Sequence, residues 1–471
     1  MYRLMMDEQP LLDQLDQPLS GRCLLGSLPP SLSSLTYLQQ LVIDGCDVLD
    51  SLPEGLGRLT VLQVKNCPLL HHFPSLVPAP PSTSNAAPGE SWAHATPAAT
   101  AAAAPAPHSA TRPSAGLASC SSPLPALHSL EISNCLSLTS LPCGLDALPR
   151  LERFTLDKCS KLGFTDLLTA FLSAASHTAP IALPPSVTSV SLLDVFQEAR
   201  YLPDSFLSLS RLTHLYLNHI ISLHALFAPR PHGAQAATAV GELDPGSEGG
   251  QVYGFPVDPQ PGQPARLALL SSLQHLAIVK SRLPLLPSNL SDLKSLKVLI
   301  LERCICMSSL PSSLPHLSNL EKLVLSTLPR LARLLENLGQ LKALKELTVE
   351  ACDALVGLPA SIGLLSSLVL LSVIECDKFS SLPDSIGSLP RLASLKLNCC
   401  FRLRRLPESI SRLPALVILS LEDCEGLRAL PEGLAGVGTL REVIIGGCGR
   451  LKSLPQSLLD RQHVIDLQGI N

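Results

Sequence analysis

The sequence predicts an α/β solenoid, a horseshoe with a parallel concave β-sheet and short 3₁₀, irregular or helical segments on its convex side. Three observations predict it. Cys352, Cys376, Cys400, Cys424 and Cys448 are spaced 24 residues apart, and the same step runs back through Leu328 to Cys304. A fixed period between about twenty and fifty residues marks a chain whose units bury their apolar faces only against their neighbours. Within each period the order of residue types is constant. Finally, hydrophobic residues make up 46% of the 471 residues and aromatics only 3%, so the core is built almost wholly from Leu, Ile, Val and Ala, which suits thin, identical layers.

One unit, read in order, carries Leu392, Leu395, Leu397, Cys400, Leu403, Leu406, Pro407, Ile410 and Leu413. The alternating L-x-L predicts a short strand with its leucines facing in. Proline then fixes φ and donates no hydrogen bond, which suits the start of an irregular convex return. Ile410, Leu413 and Leu416, at steps of three, fit a 3₁₀ or short helical arc on the same core.

The same phase begins with a partial unit ending at Cys23. It continues at 38–46, 59–67, 127–135, 151–159, 187–195, 212–220, 273–281, 296–304 and 320–328, then through the C-terminal units to a half unit at 464–467, about fifteen repeats in all. Two stretches break it. Repeat units are expected over 1–74, 125–227 and 266–471, separated by an Ala/Pro/Ser-rich insertion at 75–124 and a Gly/Pro-rich one at 228–265. Neither insertion can bury enough apolar surface to offset its ordering entropy, so both are expected to be disordered. Each opens seven residues after the slot held by Cys67 or Ile220, which places both on the convex side and leaves the strand face uninterrupted. A third long interval, 159–187, carries Phe164, Leu167, Leu168, Phe171 and Leu172 on a helical stripe with Thr165 as N-cap, and predicts a true convex helix.

L-x-x-L-x-L-x-x-C/N is the strand and turn of a leucine-rich repeat (LRR). The following L-x-x-L-P-x-x-I-G-x-L, seen at 379–389 and 356–365, resembles the intracellular plant type. That type occurs in plant disease-resistance NB-LRR proteins and in LRR proteins similar to Ras-pathway scaffolds. The resemblance implies a recognition arm in intracellular signalling or defence. The chain departs from the resistance receptors in lacking a G-x-x-x-x-G-K-[ST] phosphate loop, so their nucleotide switching does not carry over. Cysteine-bearing caps are also missing, and bare solenoid ends imply unusual caps, a bound partner or a larger protein.

The net charge of −4 supplies no general basic field and argues against nucleic acid as a partner. No run of 18 apolar residues exists and the start lacks a signal-peptide h-region, so membrane insertion is not expected and a cytoplasmic location, or a nuclear one, is. The 15 cysteines are odd in number and in phase with the repeat, which predicts reduced thiols filling a structural slot. Leu328, Ile220 and Val195 occupy that slot without a donor, so volume matters more there than hydrogen bonding. Cys306 and Cys399 lie outside it with no ligand set to complete a metal site. His214, His219 and His224 recur every five residues and read as solvated turn residues.

No catalytic signature is present, so no enzyme, cofactor or metal is expected, and the acidic residues read as a solvated edge. The informative surface is the concave one, carried by the non-leucine strand positions: Val298, Ile300, Lys322, Val324, Glu346, Leu370, Lys396 and Ile418. An uninterrupted ridge on the order of 35 Å is expected from Leu296 onward. Val298, Ile300 and Val324 form an apolar spot of the kind that marks an interaction site. Beside them lies a charged flank: Glu350, Glu375, Glu422 and Asp423 at the strand exits, then Arg402, Arg404 and Arg405. The expectation is a non-enzymatic scaffold or recognition module that binds a protein on its concave face. The rival readings are the sensor piece of a larger NB-LRR receptor, or a substrate adaptor of a ubiquitin-ligase or phosphatase complex.

Overall fold

A computed structural model describes residues 2–5, 26–29, 32, 37–53, 56, 59–71, 73, 126–139, 141, 145, 148–159, 183–194, 209–219, 270–460 and 466–468. The predicted insertions, the predicted helix at 164–172 and the partial unit ending at Cys23 lie outside these residues.

The described strands form a single sheet in strict sequence order. They are β1 Tyr2–Met5, β2 Gln40–Asp44, β3 Val61–Lys65, β4 Ser129–Ser133, β5 Arg153–Asp157, β6 Ser189–Leu193, β7 His214–Asn218, β8 His275–Val279, β9 Val298–Glu302, β10 Lys322–Ser326, β11 Glu346–Glu350, β12 Leu370–Ile374, β13 Ser394–Lys396, β14 Ile418–Ser420, β15 Glu442–Ile444 and β16 Asp466–Gln468. All pair in parallel from β2 onward. β1 runs antiparallel along β2, with Tyr2 opposite Ile43, so the edge of β2 expected to be bare is covered.

The register repeats the sequence period, placing Leu323 beside Leu347 and Leu325 beside Val349. It also passes across the long intervals without a break. Leu62 sits beside Leu130, and Leu215 beside Leu276. The sheet is therefore continuous far N-terminal of Leu296, as the phase of the two insertions predicts, on the order of 70 Å at 4.8 Å per strand.

Inward side chains of each strand, such as Leu299, Leu301, Leu347 and Val349, are fully buried, and the described core is one continuous cluster. Each such leucine contributes roughly 1.5–3 kcal/mol, an upper estimate because the unfolded chain buries some of this surface already. On the convex side, 3₁₀ segments such as Ala360–Leu364, Asp384–Ser388 and Glu408–Arg412 begin directly after Pro359, Pro383 and Pro407. They drop Ile362, Ile386 and Ile410 into the core, as the steps of three predict. These arcs pack closely: a Cβ built on Gly387 would lie 2.1 Å from the Ser409 carbonyl oxygen. A single α-turn, α1 (Gln456–Leu459), follows the last of them.

Each strand from β2 to β15 leaves through a residue with left-handed backbone. Gly45 and Gly447 hold this position in two turns, but twelve others carry side chains there, including Lys158, Thr327 (φ 54°), Glu375 and Asp423. A β-branched residue such as Thr327 pays about 1–2 kcal/mol for that conformation. What holds it is the ladder, since the Thr327 N–H donates to Glu350 C=O at 2.7 Å, as Asp423 does to Gly446.

The next residue fills the cysteine slot. No disulfide joins the described cysteines, and several ladder thiols reach back one turn to strand carbonyls, Cys400 to Val373 (3.6 Å) and Cys448 to Leu421 (3.1 Å). Burial pushes Cys352 up to about 11 and Cys376 and Cys424 to about 12, so these three stay protonated, whereas a hydrogen bond with Cys135 draws Cys67 down. Protonated, buried thiols bonded to carbonyls are packing groups and weak donors.

Candidate protein-interaction surface

The side chains that alternate with the buried leucines point away from the core in three rows along the sheet. Val298 and Ile300 on β9, Lys322 and Val324 on β10, Glu346 on β11, Leu370 on β12, Lys396 on β13 and Ile418 on β14 all lie in the first two rows, in register from strand to strand. The third row ends each five-residue strand. Glu350 belongs there, inside β11 beside Ser326 and Ile374, so it is a face residue rather than part of a separate flank. Glu375 and Asp423, by contrast, are the left-handed turn residues. Glu422 accepts from Asn398 Nδ2 at 2.8 Å. Arg402, Arg404 and Arg405 are exposed past the slot, and among the described residues no ion pair links them to these carboxylates.

Two of the expected contact charges are occupied with each other. Lys322 Nζ lies 2.8 Å from Glu346 across β10 and β11, and one residue earlier Lys345 bonds Glu321 at 2.6 Å. All four side chains are largely exposed, so water screens both pairs and neither adds much to stability. Their effect is to fix a neutral polar border beside the apolar spot.

That spot is larger than the sequence suggests. β8 brings Val279 beside Glu302, and β7 adds Tyr216 in the row of Ile300, with the buried Ala277 between them. His214 and His275 complete the first row, stacked with ring centroids 4.2 Å apart and planes 12° from parallel. His214 is thus a strand residue on the outward face of the sheet, not a solvated turn residue. His219 does sit in a turn, where its ring bonds the Asp194 carboxylate, which also accepts from Asn218 Nδ2 at 2.9 Å. His224 lies outside the described residues. The shared phase of 212–220 and 273–281 predicts β7 and β8 as neighbours across the 56 residues between them; that their outward side chains enlarge the apolar spot follows from the register.

Desolvation, aided by His275, pushes His214 below its ordinary value; desolvation and the Lys297 ammonium do the same for His275. A histidine depressed in the folded chain binds fewer protons than the unfolded chain below its unperturbed value of about 6.5. The native state is then unaffected above that pH and loses stability as pH falls through it. An NMR titration of the two ring Cε1–H signals is expected to give midpoints below about 6.5. Midpoints at or above it would contradict the stacked, partly desolvated arrangement.

Among the described residues no group of three or more His, Cys, Asp or Glu is placed to hold a metal ion. No described helix is long and apolar enough to cross a membrane.

No protein-family model matches this sequence, and no curated protein matches it. Among solved structures, an LRR protein of Leptospira interrogans is similar at 18% identity with a TM-score of 0.51, over 94% of this chain and 93% of that one. The fold is a leucine-rich-repeat solenoid. The LRR domain of the type III effector XopL aligns at 22% identity and a TM-score of 0.41, over 62% of this chain and 80% of that one. An internalin of Listeria monocytogenes aligns at 13% identity and a TM-score of 0.39, over 69% and 86%. At these identities the LRR likeness is one of fold, and the plant NB-LRR resemblance rests on the repeat motif alone.

Proposed function

We propose that this LRR solenoid is a recognition module that binds a protein partner on its concave sheet, without catalysis, in an intracellular, defence-type or signalling role. The observation that carries the reading is the continuous patch over β7–β10. It combines Tyr216, the stacked His214 and His275, Val298, Ile300 and Val324, bordered by the Lys322–Glu346 pair. Apolar and aromatic groups enclosed by a polar rim are the composition of an interface core. Lys396, Leu370 and Ile418 extend the same rows toward β14 and supply its outer contacts.

Proximity labelling in cells, comparing the wild type with a combined Val298→Asp, Ile300→Asp and Val324→Asp variant, tests the proposal. All three side chains point away from the core, so the variant is expected to keep its melting temperature and lose its specific partners. Retention of every labelled partner by the folded variant would refute the concave face as the binding site.

A further inference from the structure

A second, shorter strip of backbone pairing runs down the flank that follows the turns. Val356 N–H donates to Ala332 C=O (3.3 Å), Ser380 to Val356 (3.0 Å) and Arg428 to Arg404 (3.0 Å), while Arg405 bridges Ala429 in parallel. Such pairing sets the side chains of successive turns about 4.8 Å apart. Past the slots of Cys400, Cys424 and Cys448 the strip carries Arg402, Arg404, Arg405, Arg428, Arg450 and Lys452, all exposed. Among the described residues, none of the six forms an ion pair. Arg404, Arg428 and Lys452 share one column of this strip, so their like charges repel and an external anion relieves that repulsion.

Phe401 stands at the head of this strip, 45% exposed. Its turn is held from the following repeat, where Gly426 takes the place that Arg402 has in its own: a Cβ there would lie 2.3 Å from the Phe401 carbonyl oxygen. An exposed aromatic among arginines is the chemistry that concentrates binding energy at interfaces. Exposed carboxylates bracket the strip, Glu425 on the turn side and Glu408 and Glu432 at the starts of the 3₁₀ segments. They confine an anion to a narrow band. A duplex or a bilayer would lay phosphates over these carboxylates, whereas an extended polypeptide needs only the width of one strand, about 5 Å. The chain's net charge of −4 also gives no long-range attraction for a polyanion.

We propose that Phe401, Arg402, Arg404, Arg405 and Arg428 form a second docking site, on the lateral strip rather than the concave face, for an extended acidic polypeptide segment that carries an apolar residue. The probe is a short fluorescein-labelled peptide of Asp and Glu with one central Leu, titrated with the full chain and followed by anisotropy. Binding is expected to weaken as salt rises from about 0.05 to 0.5 M. It should fall about tenfold or more in Arg402→Glu/Arg404→Glu/Arg405→Glu and severalfold in Phe401→Ser, and hold in the concave Val298→Asp/Ile300→Asp/Val324→Asp variant. Every replaced side chain is at least partly exposed, and unchanged thermal melting verifies that each variant is folded. The site is overturned by an absence of salt-sensitive binding, by equal binding to the folded arginine variant, or by loss in the concave variant. Tighter binding of a uridine oligonucleotide or of phosphatidylserine vesicles than of the peptide overturns the choice of partner.

Discussion

Replacing Cys400 with arginine is expected to unfold the turns on either side of it, whereas asparagine at the same position should leave them folded. The thiol is fully buried between Cys376 and Cys424 and donates only to the Val373 carbonyl at 3.6 Å. A guanidinium in that slot has no anion to pair with and no route to water, a defect that costs at least about 4 kcal/mol. Asparagine is close enough in volume and keeps a donor for the carbonyl, so its cost should stay near about 1 kcal/mol. Because each turn is stabilised only by its neighbours, the arginine variant should lose amide-exchange protection first around β13 and β14, ahead of the strands nearer the N-terminus. Equal losses of melting temperature in the two variants would refute the slot as a matter of volume and polarity.

The convex side makes the second large prediction. Gly387 lies where a Cβ would be 2.1 Å from the Ser409 carbonyl oxygen and 2.7 Å from its Cβ. No flexible side-chain end is there to move aside, since the obstruction is backbone of the next 3₁₀ segment. Gly387→Val should therefore prise two arcs apart and destabilise the chain by roughly 2–3 kcal/mol. Gly436 has nothing within 4 Å of its own would-be Cβ and serves as the control. Gly436→Ala is expected to be neutral or to stabilise by about 0.4–1 kcal/mol, through the lower entropy of the unfolded chain. Denaturant melts of the two variants check both statements, and a Gly387→Val midpoint equal to the wild type's would contradict the close approach.

Much of this fold is legible in the sequence because a repeat writes the same physical requirement many times. The L-x-L pair predicts buried Leu395 and Leu397, Pro407 predicts the start of the 3₁₀ return, and Leu328 in the place of Cys352 shows that the slot is a volume. The left-handed turn residue escapes that reading for the converse reason. Its geometry is imposed by the ladder of N–H donors, so Lys158, Thr327, Ala351 and Glu375 all adopt it and share no side-chain signature. The candidate surface is legible only in part. Val298, Ile300 and Val324 stand out as apolar residues at outward positions, but Tyr216 and the His214–His275 stack join them through pairing between strands remote in sequence. Lys322 and Glu346 are visible as charges, while their engagement with each other is a property of adjacent strands.

The register across β3/β4 and β7/β8 has a consequence for how such a chain lengthens. Sixty-three residues separate Lys65 from Ser129 and 56 separate Asn218 from His275, against 19 between Glu302 and Lys322, yet all three joints carry the same parallel pairing. The added closure entropy grows only as the logarithm of the interval, about 1 kcal/mol for each long joint. These two joints behave as splice points. A foreign segment grafted at either one should leave the stacking order of the strands, and the spacing between neighbouring outward positions, as they are in the ungrafted chain.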